Sequence, residues 1–100
     1  MAMTEDRESI LQTLRSHRDE LRRLGVRQIG LFGSFLHGTA RSGSDVDLLV
    51  TLSRPSFDDY MDTKFLLEDL LGRKVDLVTD EALKPALRHV RTEAAYVEGL

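Results

Sequence analysis

The chain of 100 residues contains no cysteine, which excludes a disulfide scaffold and a zinc site built on thiolates. It has no apolar run long enough to span a bilayer, and its start, MAMTEDRES, is polar and acidic, unlike a signal peptide. It also has no excess of positive charge. The net charge is −3, so the surface as a whole is not expected to bind nucleic acid. Repeats, low-complexity tracts and linkers are absent. We therefore expect one cytoplasmic domain, residues 1–100, that contacts neither a membrane nor nucleic acid directly.

Apolar periodicity and turn residues predict helices and strands in alternation. The predicted helices are Glu5–Leu24, a short segment at Ser34–Thr39, Phe57–Leu71 and Leu83–Val97. The predicted strands are Val26–Phe32, Asp45–Leu52 and Lys74–Thr79. A long helix joins the second and third strands, which is typical of a parallel crossover. We therefore expect an α/β fold with a small mixed sheet of three or four strands and helices packed on it, while the pairing sense of the first two strands stays open.

Local patterns predict further details of the helices. Thr4 and Ser56 are expected to cap the first and the middle helix. The core side of the middle helix is predicted from helical spacing to contain Phe57, Met61, Phe65, Leu66 and Leu70. The arginines of the first helix are expected to form a solvated face: Arg15, Arg18, Arg22 and Arg23.

Aspartate is unfavourable inside strands, yet two predicted strands each carry one between apolar neighbours, Asp47 and Asp76. Side chains alternate along a strand, so Asp45 and Asp47 point the same way, and Asp76 joins them if the third strand neighbours the second. Such carboxylates repel one another unless a cation neutralises them. Oxygen ligands of this kind suit Mg²⁺ or Mn²⁺ better than Zn²⁺. The alternative for an isolated Asp-x-Asp pair is an ordinary exposed sheet face.

The dipeptide Gly33-Ser34 stands ten residues before this pair, directly after the first predicted strand. Backbone N–H groups at a helix start bind phosphate, and a glycine there lets the backbone approach the ligand closely. Ser34 adds a hydroxyl donor or caps the short helix. A phosphate-binding turn, carboxylates for two divalent cations and a carboxylate able to accept a proton together predict attack on the α-phosphate of a nucleoside triphosphate.

The pattern of Gly-Ser, ten residues and Asp-x-Asp, with a third aspartate on a later strand, resembles the DNA polymerase beta-like nucleotidyltransferase superfamily. The short length, and the match from the Gly33 motif to the C-terminal LKPALRHV, resemble its minimal branch, the MNT-type proteins. The resemblance implies that Asp45 and Asp47 bind two Mg²⁺ ions, with Mn²⁺ as an alternative. It implies that Asp76 completes the metal site and acts as, or orients, the general base. Gly33 and Ser34 would then hold the triphosphate of ATP.

One part of the motif departs from this pattern. Members often carry Ala-Arg before the second glycine of the motif, where this chain has Leu36 and His37. If that arginine grips phosphate, its role falls to Arg41 or is lost, so a weakened or altered activity stays open. His37 is expected to be a surface loop residue, because the sequence shows no carboxylate partner near it.

The minimal branch resembles the antitoxin half of HEPN–MNT toxin–antitoxin pairs. The resemblance implies that AMP is transferred from ATP to a tyrosine of a HEPN ribonuclease in a hetero-oligomer. The chain lacks the Arg-to-His spacing of the HEPN motif before any of its own histidines, which fits the transferase half. Two alternatives stay open: an antitoxin that binds without catalysis, and a transferase that acts on a small-molecule hydroxyl.

The aspartate face of the predicted sheet also carries Leu49 and Val78, which need a cover. The chain's own first or last helix is one candidate for that cover. Because so small a protein offers few helices to cover two faces, we expect instead a protein partner, or a second copy, docked beside the carboxylates.

Overall fold

A computed structural model describes residues 6–54 and 56–100 of the chain. Its strands are β1 (Val26–Phe32), β2 (Val46–Leu52), β3 (Val75–Thr79) and β4 (Ala95–Tyr96). They form one sheet in the order β3-β2-β1-β4, in which β1 is antiparallel to both β2 and β4 and β2 is parallel to β3. The predicted mixed sheet is confirmed, and the third strand lies beside the second, which was the condition for Asp76 to join the other aspartates. The first two strands, whose pairing sense was open, are antiparallel.

Five α-helices and two 3₁₀ turns accompany the sheet in the described part of the chain. The helices are α1 (Arg7–Ser16), α2 (Arg18–Arg23), α3 (Ser34–His37), α4 (Phe57–Leu71) and α5 (His89–Glu93), and the 3₁₀ turns are Asp80–Ala82 and Pro85–Leu87. One sheet face forms the main core with α1, α2 and α4, and its buried residues include Ile10, Leu14, Leu21, Val46, Leu48, Val50, Leu67 and Leu71. Among these helices, none has the length and apolar character needed to cross a membrane.

The prediction of one continuous helix up to Leu24 is wrong, because the helix breaks at His17. The His17 ring nitrogen Nδ1 lies 2.8 Å from the Thr13 carbonyl oxygen, the group that its own backbone N–H would bond in an unbroken helix. That N–H donates to the Leu14 carbonyl instead. The predicted cap, Thr4, lies outside the described residues, and the Asp6 carboxylate caps α1 by accepting from the Ser9 N–H at 2.8 Å.

Two of the arginines expected on a solvated face fasten the C-terminal end of the chain. Arg22 donates to the Gly99 carbonyl and is paired with Asp19 at 3.0 Å, while Arg18 donates to the Glu98 carbonyl at 3.5 Å. The bonds to the Gly99 and Glu98 carbonyls join residues 77 and 80 positions apart in the sequence, which local charge patterning does not reveal.

The bounds of α4 and its Ser56 cap are confirmed. Its predicted core side is right for Leu66, which packs against the main core, and wrong for the two phenylalanines. The buried side consists of Thr63, Leu67 and Leu71, whereas Phe57 and Phe65 are exposed. Both sets have helical spacing, so periodicity alone could not choose between them. Packing against the sheet determines which side is buried, because the core face of β2 and β3 packs against Leu67 and Leu71.

Side chains of α4 also close the free edge of β3, an outer strand of the sheet. The Tyr60 hydroxyl donates to the Leu77 carbonyl at 2.6 Å, and the Val75 N–H donates to the Glu68 carboxylate at 3.0 Å. Because these groups are satisfied, another strand has little opportunity to pair with this edge.

Two substitutions test which side of α4 faces the core. Leu67→Ala is expected to lower the free energy of unfolding by about 2–3 kcal/mol, because it leaves a cavity under a fully buried side chain. Phe65→Ala removes an exposed ring and is expected to cost less than about 0.5 kcal/mol. Urea denaturation measures both values. Equal costs, or a larger cost for Phe65→Ala, would contradict the observed packing.

The predicted C-terminal helix over Leu83–Val97 is also wrong. Lys84 precedes Pro85 and is extended, because proline disfavours the helical conformation at the residue before it. Within this segment, α-helical structure is confined to α5. The chain then becomes extended to form β4, which pairs Tyr96 with Gly30 of β1. Pairing with the sheet thus overrides the helical spacing of the apolar residues.

This segment covers the second face of the sheet. Leu83 and Val90 pack on Leu49, whose side chain is only 2% exposed, and Val78 lies partly buried beside them. The expectation that these residues need a partner as cover is therefore wrong, because the chain supplies the cover itself.

Candidate functional site

The parallel pairing of β2 and β3 places Asp47 directly opposite Asp76. Both side chains lie on the sheet face opposite the main core, where the apolar alternation of the two strands directs them. Asp45 comes one residue before β2 begins and is exposed. The structure therefore brings together the two strand aspartates and places the third at the strand start beside them.

Asp47 is the most perturbed acid of the described residues. Burial is the main cause that raises its pKa from the ordinary value of 3.8 to about 6. The charges of Asp76 and Asp45 raise this pKa further, as does a side-chain hydrogen bond shared with Asp76. The Ser34 backbone N–H donates to the same carboxylate and acts in the opposite direction. Asp47 is thus held between the like charges and the Gly33-Ser34 turn.

The Gly33-Ser34 turn touches the carboxylate directly. Gly33 has φ 76° and ψ −151°, a backbone region that is open essentially only to glycine. A Cβ atom at this position would lie 2.0 Å from Oδ2 of Asp47 and 2.8 Å from its Cγ. Helix α3 therefore begins after a residue that has no side chain. A side chain at Gly33 would fill the space between the backbone and the Asp47 carboxylate.

The chemistry of these donors fits divalent cations that prefer oxygen ligands. Carboxylates whose negative charges repel one another favour a cation at the position where those charges meet. Within residues 6–54 and 56–100, no three acidic or histidine side chains are gathered closely enough to coordinate one ion by themselves. Mg²⁺ does not require such a group, because it usually takes one or two carboxylates together with water and substrate phosphates.

The raised pKa of Asp47 predicts that stability falls as the pH rises. The folded state holds this proton up to a pH of about 6, whereas the unfolded state releases it near 3.8, so the stabilisation present below pH 3.8 is lost as the pH passes through about 6. Because Asp47 is partly solvated, we expect a loss on the order of 1 kcal/mol. Asp47→Asn should flatten this pH dependence in metal-free urea denaturation at pH 5 and 8. An unchanged slope in the variant would contradict the assignment to Asp47.

Two further residues of the motif region are Arg41, a predicted site residue, and His37, which was expected outside the site. Arg41 lies in the loop between α3 and β2, where its backbone N–H donates to the Ser44 hydroxyl and its side chain is exposed. His37 is the last residue of α3 rather than a loop residue, and its Nε2 lies 3.4 Å from Oε1 of Glu93. The expectation that His37 has no carboxylate partner is therefore wrong. Glu93 lies on α5, too far along the chain for local sequence to indicate the pair.

Sequence patterns also did not reveal the residue that fastens the loop before β2. The Arg73 guanidinium lies over the Phe35 ring, 5.0 Å from its centroid, and donates to the Ser42 carbonyl at 3.2 Å. It therefore connects α3 to the loop that leads into Asp45. The one available signal was its place two residues before β3, which no motif distinguishes.

Comparison with known proteins gives the family of this fold and site. The family model described as "Nucleotidyltransferase domain" matches residues 14–96. The protein adenylyltransferase MntA of Thermococcus cleftensis is 44% identical over 93 residues, which span 90% of this chain and 94% of that protein.

Solved structures also share the fold. A structure assigned as a minimal nucleotidyltransferase has a TM-score of 0.69 at 40% identity, covering 84% of this chain and 92% of that one. A toxin–antitoxin crystal structure with AMP-PNP has a TM-score of 0.67 at 25% identity, covering 86% of this chain and 73% of that one. These matches confirm the resemblance drawn from the Gly-Ser and Asp-x-Asp motifs, and the chain belongs to the nucleotidyltransferase domain family.

Proposed function

We propose that this chain is the antitoxin of a toxin–antitoxin pair and transfers AMP from ATP to a tyrosine hydroxyl of a HEPN-type ribonuclease, in a reaction that requires Mg²⁺. The observation that carries the proposal is the contact of Asp47 with both the Gly33-Ser34 turn and Asp76. Two similarities support the proposal. The chain is similar over most of its length to a protein adenylyltransferase, and it is similar in fold to a toxin–antitoxin structure with a nucleotide analogue.

In this proposal, different residues around Asp47 bind the triphosphate of ATP and the metal ions. The bare backbone at Gly33 and the hydroxyl of Ser34 hold the triphosphate, and Arg41 adds a positive charge from the following loop. Asp45, Asp47 and Asp76 hold the two Mg²⁺ ions, with Mn²⁺ as the alternative metal. When bound, these ions neutralise charge on the phosphates and on the attacking and leaving oxygens.

Asp76 lies on the outer strand β3 and is exposed, so an acceptor has access to it. In the proposed reaction its carboxylate accepts, or directs the loss of, the tyrosine hydroxyl proton. The tyrosine oxygen forms a bond to the α-phosphorus as the bond from that phosphorus to the bridging oxygen breaks. Pyrophosphate leaves, and AMP stays attached to the tyrosine through a phosphodiester.

Label transfer tests this function directly. The chain, Mg²⁺, ATP and a HEPN-type ribonuclease should yield a labelled ribonuclease when the label is on the α-phosphate and an unlabelled one when it is on the γ-phosphate. Mass spectrometry should place the AMP on tyrosine. A ribonuclease that is inhibited without gaining label would support the binding-only alternative. Transfer of AMP only to small hydroxyl compounds would support the alternative of a small-molecule transferase.

Binding of the nucleotide is expected to stabilise the fold by mass action. Mg²⁺ with a non-hydrolysable ATP analogue at about a hundred times its Kd should add about 2.7 kcal/mol to the free energy of unfolding, measured as a rise in melting temperature. Asp45→Asn relieves repulsion, so without metal this variant should be at least as stable as the wild type. It should gain little from Mg²⁺ and the analogue. Equal gains in both proteins would show that Asp45 does not bind the metal.

A further inference from the structure

The outer side of α4 exposes an apolar stripe to solvent. The Phe57 side chain is 76% exposed and that of Phe65 is 58% exposed, with the partly buried Met61 midway between them at helical spacing. In the described part of the chain, Leu87 is the one other large apolar residue that is exposed. Isolated exposed apolar residues are common, whereas a continuous row on one helix face is typical of a binding surface.

Acidic side chains flank this stripe. Asp58, Asp62 and Asp69 follow the same outer side of α4 at helical spacing and are exposed. Lys64 is the one cation of α4, and it is bound to Glu68 at 3.1 Å. The stripe is therefore bordered by carboxylates that α4 itself does not neutralise, which favours an apolar partner bordered by cations.

A groove continues the stripe beyond its N-terminal end. It has a volume of about 580 Å³, and Phe57 belongs both to its wall and to the stripe. The apolar part of its lining comes from Leu52, Phe57, Tyr60, Leu77, Val78 and Ala82. The surface thus offers an apolar stripe followed by a recess with room for a large side chain.

The neighbouring strand edge indicates which kind of element fits this surface. Tyr60 and Glu68 occupy the Leu77 carbonyl and the Val75 N–H of β3, so a partner gains little by adding a strand there. A helix presents side chains instead of backbone groups, and its apolar ridge matches the spacing of Phe57, Met61 and Phe65. Anionic membranes and nucleic acids would be repelled by the flanking carboxylates.

We propose that the outer face of α4, comprising the stripe, the flanking aspartates and the groove, docks a basic amphipathic helix of a partner protein. The apolar ridge of that helix covers Phe57 and Phe65, and its lysines or arginines meet Asp58 and Asp62. This surface extends the proposed function, which requires a protein acceptor, but it does not depend on transferase chemistry.

Two designed peptides test the proposal. One is a helix of about 18 residues, long enough to fold, with leucine on one face and lysine on the other, and the second has glutamate in place of lysine. Fluorescence anisotropy should show that the wild-type chain prefers the lysine peptide. Phe57→Ser/Phe65→Ser should raise the Kd about tenfold or more, as loss of central aromatic contacts does. Asp58→Lys/Asp62→Lys should reverse the preference between the peptides.

Matched controls separate this surface from general attraction to an acidic protein. Leu87→Ser removes another exposed apolar residue, and Glu8→Lys/Glu98→Lys reverses two exposed charges outside α4. Both controls should bind the lysine peptide as the wild type does, and all variants should melt near the wild-type temperature. Equal weakening by the controls, or no preference in the wild type, would overturn the proposal. So would self-association in sedimentation that Phe57→Ser/Phe65→Ser abolishes, because a second copy would then occupy the face.

Discussion

Asp47→Asn is expected to reduce AMP transfer at least about a hundredfold, the scale of loss seen when one group that stabilises transition-state charge is removed. Asp47 is the carboxylate that contacts the Gly33-Ser34 turn and faces Asp76 across the strands. An amide at this position retains nearly the same shape but loses the negative charge that would hold Mg²⁺ beside the phosphates. The loss should therefore appear mainly in kcat, while the fold is preserved.

The experiment compares transfer of α-labelled AMP by the wild type, Asp47→Asn and Glu98→Gln. Glu98 is an exposed glutamate outside α4, so its substitution also replaces a carboxylate with an amide, but away from the site and from the outer face of α4. It should leave transfer unchanged. Because neutralising Asp47 also removes repulsion, the inactive variant should be at least as stable as the wild type without metal. Full transfer by Asp47→Asn would refute a mechanism in which this carboxylate holds the metal.

The core of the candidate site could be predicted from the sequence because its signals are local. Aspartate inside an apolar strand, as at Asp47, contradicts strand preference so strongly that a particular role is indicated. The apolar alternation around Asp76 indicates both its strand and its face. Whether the two side chains meet depends on which strands are neighbours. The long helix between them indicated a parallel crossover but not adjacency, which the structure supplies.

Features that depend on distant partners could not be predicted in this way. The ion pair of His37 with Glu93 and the bond from Arg22 to the Gly99 carbonyl join residues far apart in the chain. The C-terminal segment has helical spacing, yet a strand forms there because β1 offers it an edge. In each case the deciding contact comes from another element, which the local sequence does not encode.

The error on α4 has a functional consequence. The sequence places Phe57, Phe65 and Leu67 on two overlapping stripes of one helix, and the prediction from helical spacing put the phenylalanines in the core. The sheet buries Leu67 and leaves both rings in solvent. The core of the chain buries only one apolar side of this helix. The second apolar side stays exposed and is therefore available to a partner.

Gly33→Ala is expected to lower the free energy of unfolding by about 3–5 kcal/mol and to abolish AMP transfer. The backbone of Gly33 occupies a region that other residues adopt only under strain, which costs about 1–3 kcal/mol. The new Cβ would also lie 2.0 Å from Oδ2 of Asp47, and forcing them apart adds a cost of similar size. If Asp47 rotates away to relieve this overlap, its carboxylate leaves the turn, and transfer is lost by that route.

Two comparisons separate these effects in urea denaturation. Gly38 has nearly the same φ, +75°, but nothing lies within 4 Å of a Cβ atom added there. Gly38→Ala should therefore lower the free energy of unfolding by only about 1–2 kcal/mol. In an Asp47→Ala background, Gly33→Ala should cost less than in the wild type, because the overlapping Oδ2 and Cγ are gone. A cost equal to that of Gly38→Ala, with transfer intact, would mean that Asp47 does not contact the turn. A positive coupling between residues 33 and 47, together with lost transfer, would establish that the bare backbone at Gly33 exists to accommodate this carboxylate.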